Sequence, residues 1–389
     1  MRFHVLGLGS VGSLLSYHLR RTLPEHHYIT LIHRTQGQAS AAHARGGEIR
    51  IEVNGVVTAA TAFTSEAFNP PDDTANRFQK IESLFITTKA HQTVPAIRRL
   101  LPRLSPNSTI VLLQNGMGVY EELTHHIFPN PATRPHFILA SNTHGVFRKD
   151  TQHFVHAGLG GIIFGIVPDP EERNFEAGFQ DLSLPKPDRA PRLSDISAVS
   201  DDERYKSLRS TVAALLLLEA LNVSWKPMVE VQTAMRQKLV VNAILNPLTA
   251  IMGCRNGDVL HTASSRRIAE RVCQEASRVF QTQFKADATS WLGSLESAGI
   301  DSQGVPIDRM PTVLTKSMLE DEVVRVAHLT KGNISSMLAD IRIGKQTEID
   351  FVNGYLLKLG RTYRVDMPAT ATLLNLVKMR SAIPLDQAL

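Results

Sequence analysis

A polar stripe within an apolar segment is the feature of this sequence best suited to carry chemistry. Lys238, Asn242 and Asn246 recur every four residues, so in a helix they share one face, and the residues between them are mostly aliphatic. A lysine that is partly desolvated has a lowered pKa, which suits proton transfer. The stripe therefore predicts a reactive site. The alternative is a solvent-facing stripe, although the segment lacks the Glu, Gln and Arg residues typical of exposed helix faces.

Further polar residues that suit a binding site lie towards the end of the chain. Asn333 and Ser336 precede or open an apolar helical stretch, where the pair Ser335 and Ser336 most simply supplies an N-cap. An asparagine and a serine beside a helix N-terminus also suit a carboxylate ligand. Glu348 lies among apolar residues and is either an exposed first-turn acid or a buried partner of Lys238. The spacing leaves these alternatives open.

A glycine-rich turn follows the first predicted strand, residues 2–6, and precedes a helical stretch over 13–21. The turn consists of Gly7, Leu8, Gly9, Ser10, Val11 and Gly12. In such a turn the first glycine permits the sharp bend, the second lets the backbone approach a pyrophosphate, and the third allows close packing of helix on strand. The helix N-terminus then offers N–H donors to the phosphates. The pattern predicts a nucleotide-binding unit, and the alternative is a glycine-rich turn without a ligand.

The second predicted strand, 28–32, indicates which dinucleotide is bound. An NAD-binding unit usually places Asp or Glu after this strand, whereas this chain has His33 and Arg34. Since a guanidinium pairs with a 2′-phosphate, NADP is favoured over NAD, the alternative being a surface arginine without a ligand role. Lys89 and Asn115 follow two further predicted strands. Because open α/β sheets bind ligands at the carboxyl ends of their strands, both residues are candidate cofactor contacts, although Lys89 is alternatively a plain helix-start lysine.

Two domains are needed to position these residues. Alternating strands and helices predict an α/β, Rossmann-type dinucleotide-binding domain over 1–228, and the helical pattern that follows predicts an all-α substrate and catalytic domain over 229–389. The strand-like pattern over 142–164 predicts an antiparallel extension of the sheet. The polar, proline-rich segment 168–202 predicts a flexible insertion, and a second loop is expected around 287–311.

Composition indicates an ordinary soluble enzyme. The 389 residues are 43% hydrophobic, and the net charge of +5 without a long basic block favours anionic small ligands over nucleic acid. Two cysteines are too few for a disulfide scaffold, and the sequence contains no zinc-ligand spacing, so no metal site is predicted. No apolar run has the length of a membrane span. A strand at the very start leaves no room for a signal peptide. We therefore expect a cytoplasmic location, with a mitochondrial one and a homodimer left open.

Seven motifs, taken in chain order, resemble those of the ketopantoate reductase (2-dehydropantoate 2-reductase) family, and together they span nearly the whole chain. They are GLGSVG at 7–12, TTKAHQ at 87–92, QNGMG at 114–118, KLVVNAILNPLTAI at 238–251, RNGD at 255–258, GNISSMLADI at 332–341 and TEIDFVNGYL at 347–356. The sequence departs from the family pattern in the segment 168–202 and in the loop around 287–311. The second departure lies in the substrate domain, so it bears on which 2-oxo acid is used.

The resemblance implies NADPH-dependent reduction of ketopantoate to D-pantoate, a step of pantothenate and coenzyme A biosynthesis. Lys238 matches the family's catalytic lysine, which donates a proton to the developing alkoxide, and Glu348 matches its essential acid, which hydrogen-bonds the substrate hydroxyl. Asn115 is placed near the nicotinamide, while Arg34 and Lys89 hold the 2′-phosphate and neighbouring groups. The residues matched to substrate or lysine contacts are Asn242, Asn246, Asn256, Asn333 and Ser336.

Two other functions remain alternatives to ketopantoate reduction. One is reduction of a different 2-oxo acid. The other is a non-catalytic binding or regulatory protein on the same fold, for instance an RNA-associated one. The presence of Lys238, Asn242, Glu348 and Ser336 together favours an enzyme, because a binding protein has no physical need for a buried lysine and its acid.

Overall fold

The computed structural model describes residues 1–68, 79–171, 173–199, 202–299 and 310–383. The chain divides into two compact units. The first comprises Met1–Gln114 and Val119–Val231, and the second comprises Asn115–Gly118 and Gln232–Leu389. The boundary between Val231 and Gln232 lies close to the domain boundary predicted after residue 228. The grouping of 115–118 with the helical unit is new, since the sequence pattern assigned these residues to the first domain.

Strands are confined to the first unit in the described part of the chain. They are β1 (Arg2–Leu6), β2 (Tyr28–His33), β3 (Ile49–Val53), β4 (Val56–Ala60), β5 (Thr64–Ala67), β6 (Ser83–Ile86), β7 (Thr109–Leu112), β8 (His136–Asn142), β9 (Gly145–Asp150), β10 (His153–Gly158), β11 (Ile162–Ile166) and β12 (Val223–Trp225). Eight of them form one sheet in the order β12-β11-β8-β7-β6-β1-β2-β5.

The six strands β5-β2-β1-β6-β7-β8 are all parallel and follow the strand order of a dinucleotide-binding fold. The central strand β1 pairs with β2 and β6, with Val5 opposite both Leu31 and Phe85. Val5 and Phe85 are fully buried, as expected for a strand covered on both faces. The predicted α/β class with a Rossmann-type first part is confirmed. This strand order brings the ends of β1, β2 and β6 to one edge of the sheet.

The antiparallel extension predicted over 142–164 is only partly correct. β11 does extend the main sheet by pairing antiparallel with β8. By contrast, β9 and β10 form a hairpin in a separate four-stranded sheet of order β4-β3-β10-β9. The parallel pairing of β10 with β3 joins segments about a hundred residues apart, with Phe154 opposite Ile51. A local alternation pattern carries no information about so distant a partner.

Among its described residues, the first unit has six α-helices: α1 (Ser10–Thr22), α2 (Gln36–Ala44), α3 (Thr93–Leu100), α4 (Val119–His126), α5 (Leu193–Ile196) and α6 (Lys206–Leu216). The segment 168–202, predicted as a flexible insertion, is anchored in its described residues. Phe175 and Ile196 are buried in the core, and the Tyr205 hydroxyl donates to Asp169 Oδ2 at 2.7 Å. These anchors are single residues in a polar sequence, which is why composition did not reveal them. Flexibility itself stays a prediction.

The second unit is helical in its described residues. Its helices are α7 (Met228–Met252), α8 (Ala263–Ser297), α9 (Lys316–Leu329), α10 (Ser336–Arg342), α11 (Ile349–Tyr363) and α12 (Pro368–Ala382). The loop predicted around 287–311 is wrong in its first part, because α8 continues to Ser297, while residues 300–309 lie outside the described ones. Over the described ranges, no helix has the length and hydropathy that crossing a membrane requires.

Candidate active site

Lys238 lies on α7 in the second unit; the residue as a whole is half-buried, while its ammonium is buried and is engaged by an amide. Its Nζ donates a hydrogen bond to Asn115 Oδ1 at 3.1 Å. Burial lowers the pKa of Lys238 to about 8, and the nearby Glu348 carboxylate opposes part of that lowering. An amine with such a pKa is still mostly protonated at pH 7 but gives up its proton readily. The predicted reactive stripe therefore has at its head a lysine suited to general acid chemistry.

Glu348 is the residue just before α11 and is only 6% exposed. Of the two alternatives left by the spacing, the structure supports the buried acid. Its carboxylate is close enough to Lys238 to raise the pKa of that amine. A buried carboxylate needs a compensating charge or hydrogen bonds, and the ammonium supplies the charge. The two charged groups that the resemblance assigned to catalysis are thus electrostatically coupled.

The short segment 115–118 lies against the first turn of α11. Met117 N donates to Phe351 O at 3.0 Å. Gly116 has a φ of +79°, and a Cβ at this position would lie 2.5 Å from Phe351 O, so only glycine fits. This packing places Asn115 beside Lys238. The sequence analysis expected Asn115 near the nicotinamide and did not foresee its bond to the lysine; the glycines of QNGMG were the available signal.

The carboxamides of the stripe and of the RNGD motif differ in their surroundings. Asn242 and Asn246 are both half-buried and lie on the same face of α7 as Lys238. Asn256 instead joins two loops: its backbone N–H donates to Asn333 O at 3.1 Å, and its Nδ2 donates to Thr330 Oγ1 at 2.9 Å. Asn256 Oδ1 is buried and accepts no hydrogen bond from a described residue. The structure thus gives Asn256 a loop-bridging contact.

The two serines at the start of α10 differ in burial and in their contacts. Ser335 is buried and caps the helix, since its Oγ accepts a hydrogen bond from Leu338 N at 3.1 Å. Thr249 of α7 donates to the same Oγ at 2.7 Å. Ser336 is the first residue of α10 and is exposed, as is Asn333. The N-cap interpretation therefore applies to Ser335, whereas Asn333 and Ser336 remain accessible to a ligand.

In the first unit, the glycine-rich turn combines tight packing at two glycines with open space at the third. Gly7 has a φ of +101°, and a Cβ there would lie under 3.0 Å from the Thr88 backbone. A Cβ on Gly12 would overlap the Gly7 carbonyl, so these two glycines are required for packing. Gly9, the N-cap of α1, has open space around its would-be Cβ. Leu8, Ser10 and Val11 are half-buried around this opening. The turn leaves room for a pyrophosphate where the motif predicts it.

The two cationic candidates lie at the same edge of the sheet as the glycine turn. Arg34 follows β2 and is exposed, and its guanidinium donates to Gln92 Oε1 at 2.6 Å. Gln92 ends a short 3-10 helix, Ala90–Gln92, whose N-cap is Lys89. Arg34 therefore contacts the short helix that Lys89 precedes, and both cations follow strands of the order β2-β1-β6. Two cations at this position suit a 2′-phosphate better than a neutral ribose hydroxyl.

The contrast between Gly9 and Gly12 leads to a first testable prediction. Gly12→Ala should lower the thermal unfolding midpoint, because its Cβ overlaps the Gly7 carbonyl. Gly9→Ala should leave the unfolding midpoint close to wild type and weaken NADPH binding by about tenfold or more, because the added methyl occupies space meant for phosphate. Calorimetry and NADPH fluorescence titration separate the two effects. Unchanged NADPH affinity in Gly9→Ala would contradict a phosphate at this turn.

Comparison with known proteins connects this geometry to a family. The family model described as Ketopantoate reductase PanE/ApbA matches residues 3–169, and the one described as Ketopantoate reductase PanE/ApbA C terminal matches 230–381. The chain belongs to the ketopantoate reductase family. The resemblance that the seven motifs indicated is thereby confirmed. The segment between the two matches, 170–229, contains most of the proline-rich insertion.

Individual members of the ketopantoate reductase family match over nearly their whole length. The Probable 2-dehydropantoate 2-reductase of Schizosaccharomyces pombe is 28% identical, over 97% of this chain and 95% of that protein. The 2-dehydropantoate 2-reductase of Saccharomyces cerevisiae is 26% identical, over 98% and 94%. Among solved structures, the Bacillus subtilis protein titled Probable 2-dehydropantoate 2-reductase panE superposes with a TM-score of 0.63 at 24% identity, covering 98% of this chain and 100% of that one. A D-mandelate dehydrogenase with NADH and anilino(oxo)acetate gives 0.68 at 14%, covering 98% and 99%, which establishes a shared fold.

Proposed function

We propose that this protein catalyses NADPH-dependent reduction of ketopantoate to D-pantoate, the reduction step of pantothenate and coenzyme A biosynthesis. The observation that carries the proposal is Lys238, a buried amine of lowered pKa bound to Asn115 and next to Glu348. The family and the names of relatives that match end to end support the choice of substrate. A protein that only binds ligands has no need of such a lysine.

The chain's own residues supply the proton and the substrate contacts of this reaction. NADPH, when bound, supplies a hydride to C2 of the substrate. Lys238 Nζ gives its proton to the carbonyl oxygen, so hydride and proton together convert the C=O group to CH–OH. Asn115 Oδ1 holds the ammonium in place before transfer. Glu348 accepts a hydrogen bond from the substrate hydroxyl, which fixes the substrate in a reactive orientation.

The remaining polar residues are assigned to recognition. The exposed Asn333 and Ser336 are proposed to hold the hydroxyl and carboxylate of the substrate, where the N-terminus of α10 adds favourable backbone donors. Asn242 and Asn246 are proposed to contact substrate or orient Lys238. Asn256 supports the same loop through Asn333 O and Thr330. The cofactor is held through residues 7–12 at its pyrophosphate and through Arg34 and Lys89 at its 2′-phosphate.

The decisive experiment is NADPH oxidation by the purified protein, followed at 340 nm, with ketopantoate as substrate. Parallel reactions contain NADH, other 2-oxo acids, and benzoylformate, since one structural neighbour is named D-mandelate dehydrogenase. Preference for ketopantoate and NADPH is the expected result. Faster turnover of another 2-oxo acid would reassign the substrate, and NADPH binding without any turnover would favour the non-catalytic alternative.

Arg34 provides a test of cofactor choice. Arg34→Ala should raise the KM for NADPH by about 10- to 100-fold, because a charge-assisted hydrogen bond to the 2′-phosphate is lost. The KM for NADH should change little. Arg45→Ala, at an exposed arginine of the same unit, is the matched control and should leave both values unchanged. An equal loss with both cofactors in Arg34→Ala would contradict 2′-phosphate recognition.

Two other expectations belong to the proposal. One structural neighbour is titled as a dimeric ketopantoate reductase from Staphylococcus aureus, with a TM-score of 0.59 at 15% identity. We extend the homodimer to this chain as a proposal, which light scattering of the purified protein tests directly. A cytoplasmic location stays a prediction from the sequence.

A further inference from the structure

Pro247 lies inside α7, where a proline is costly. A proline has no backbone N–H, and its ring crowds the carbonyl of the residue four positions earlier. In α7 that residue is Ala243, which is fully buried. The Ala243 carbonyl therefore cannot receive its regular helical hydrogen bond. Because buried carbonyls are almost always paired, another donor is required.

Asn353 of α11 provides that donor. Its side chain is fully buried, 0% exposed, and its Nδ2 donates to Ala243 O at 3.0 Å. The carbonyl left unpaired by Pro247 in one helix is thus paired by a side chain from another. Val240, Val352 and Leu356 are buried in one hydrophobic cluster, and their apolar contacts lack the directionality of a hydrogen bond. A directional bond at this point therefore favours one position of α11 along α7.

The position of this bond relative to the reactive groups is what gives it a functional meaning. Lys238 precedes Ala243 by five residues on α7, and Glu348 precedes Asn353 by five residues at the start of α11. At about 1.5 Å of rise per residue, the bond lies roughly 7.5 Å along the helix axis from the backbone of Lys238 in α7 and of Glu348 at the start of α11. A slide of one helix against the other at this point would be transmitted directly to the spacing of the lysine and the acid.

We propose that Pro247 and Asn353 form an interhelical lock. The lock is the hydrogen bond from Asn353 Nδ2 to the Ala243 carbonyl, which Pro247 leaves without its regular helical donor. It holds Lys238 and Glu348 in register for proton transfer. Asn353 is then a positioning residue of the reaction. The inference rests on the proposed function for its kinetic consequence. The contact between the two helices itself does not depend on the substrate.

Three variants distinguish positioning from mere stabilisation. Asn353→Leu removes the donor and should lower both the unfolding midpoint and kcat, because Ala243 O is left buried and unpaired. Pro247→Ala gives Ala243 O a competing backbone donor while Asn353 is still present, so kcat should lie between those of wild type and Asn353→Leu. In the double variant the N–H of residue 247 can pair with Ala243 O within the helix. We expect the unfolding midpoint to recover and kcat to stay about 10- to 100-fold below wild type, with a smaller change in KM.

The control makes the same substitution, asparagine to leucine, at a position away from the lock. Asn375→Leu on α12, at an exposed asparagine, should change neither stability nor kcat. If Asn353→Leu does not fold in either background, Asn353→Ala combined with Pro247→Ala makes the same test with less bulk. Recovery of kcat together with the unfolding midpoint in the double variant would overturn the lock and leave Asn353 a structural residue only. Wild-type kcat in Asn353→Leu would overturn it as well.

A readout that needs no turnover separates this inference from the proposed function. Acetylation of Lys238 by acetic anhydride at a series of pH values, measured by peptide mass spectrometry, reports when the amine loses its proton. Wild-type protein should show a midpoint at about pH 8. In Asn353→Leu/Pro247→Ala the midpoint should move away from the wild-type value, because a displaced α11 changes both the distance of the Glu348 carboxylate from the amine and the burial of the amine. An unchanged midpoint would overturn the lock, whereas wild-type protein inert towards all 2-oxo acids would overturn only the proposed function.

Discussion

Replacing Lys238 with alanine should lower kcat for ketopantoate reduction by about 10²- to 10⁴-fold, the range that a positioned general acid contributes. The reason is that Lys238 is the buried amine of lowered pKa at the head of the α7 stripe, and truncation removes this proton donor. NADPH affinity should stay near wild type, since the glycine turn, Arg34 and Lys89 belong to the other unit. Steady-state kinetics and a fluorescence titration of NADPH make the measurement.

The matched control is Lys285→Ala, which removes an exposed lysine of α8 in the same unit. It should leave kcat and the unfolding midpoint unchanged. Retained turnover in Lys238→Ala would sink the general-acid assignment, whatever the fate of the substrate assignment. A parallel loss of NADPH affinity would indicate that the truncation disturbs more than proton transfer.

Replacing Glu348 with glutamine should lower kcat by about 10²-fold, because the neutral amide positions the substrate hydroxyl less firmly than a carboxylate does. The exchange should also change the pH dependence. Lys238 acts in its protonated form, so kcat falls as the pH rises through the pKa of about 8. Glu348 raises the pKa of Lys238, so its removal lowers that pKa and the fall in kcat should begin at a lower pH.

The neighbouring acid Asp350 offers the control. Its carboxylate is half-exposed and pairs with Lys378 at 2.6 Å, so Asp350→Asn should leave both kcat and its pH profile close to wild type. Profiles of kcat against pH for the three proteins make the comparison. A basic limb that moves to higher pH in Glu348→Gln would contradict the sign of the coupling between the acid and the lysine.

The sequence by itself determined the features that depend on short-range patterns. The turn from Gly7 to Gly12 requires glycine for steric reasons that act within a few residues, and the strand and helix on either side follow from local periodicity. The four-residue spacing of Lys238, Asn242 and Asn246 likewise defines one helix face without any tertiary information. Arg34 directly after β2 likewise indicated NADP, because the position after the second strand and the charge of the side chain can both be read from the sequence.

Only the tertiary structure decided which of these residues meet. Asn115 lies more than a hundred positions before Lys238, yet the packing of 115–118 on α11 makes it the lysine's hydrogen-bond partner. The burial of Glu348 and the division of roles between Ser335 and Ser336 depend on which helix faces another. Contacts of this kind are set by packing between distant segments, so they leave no periodic pattern along the chain. Turns and helix faces are set by neighbouring residues, so they do leave such a pattern.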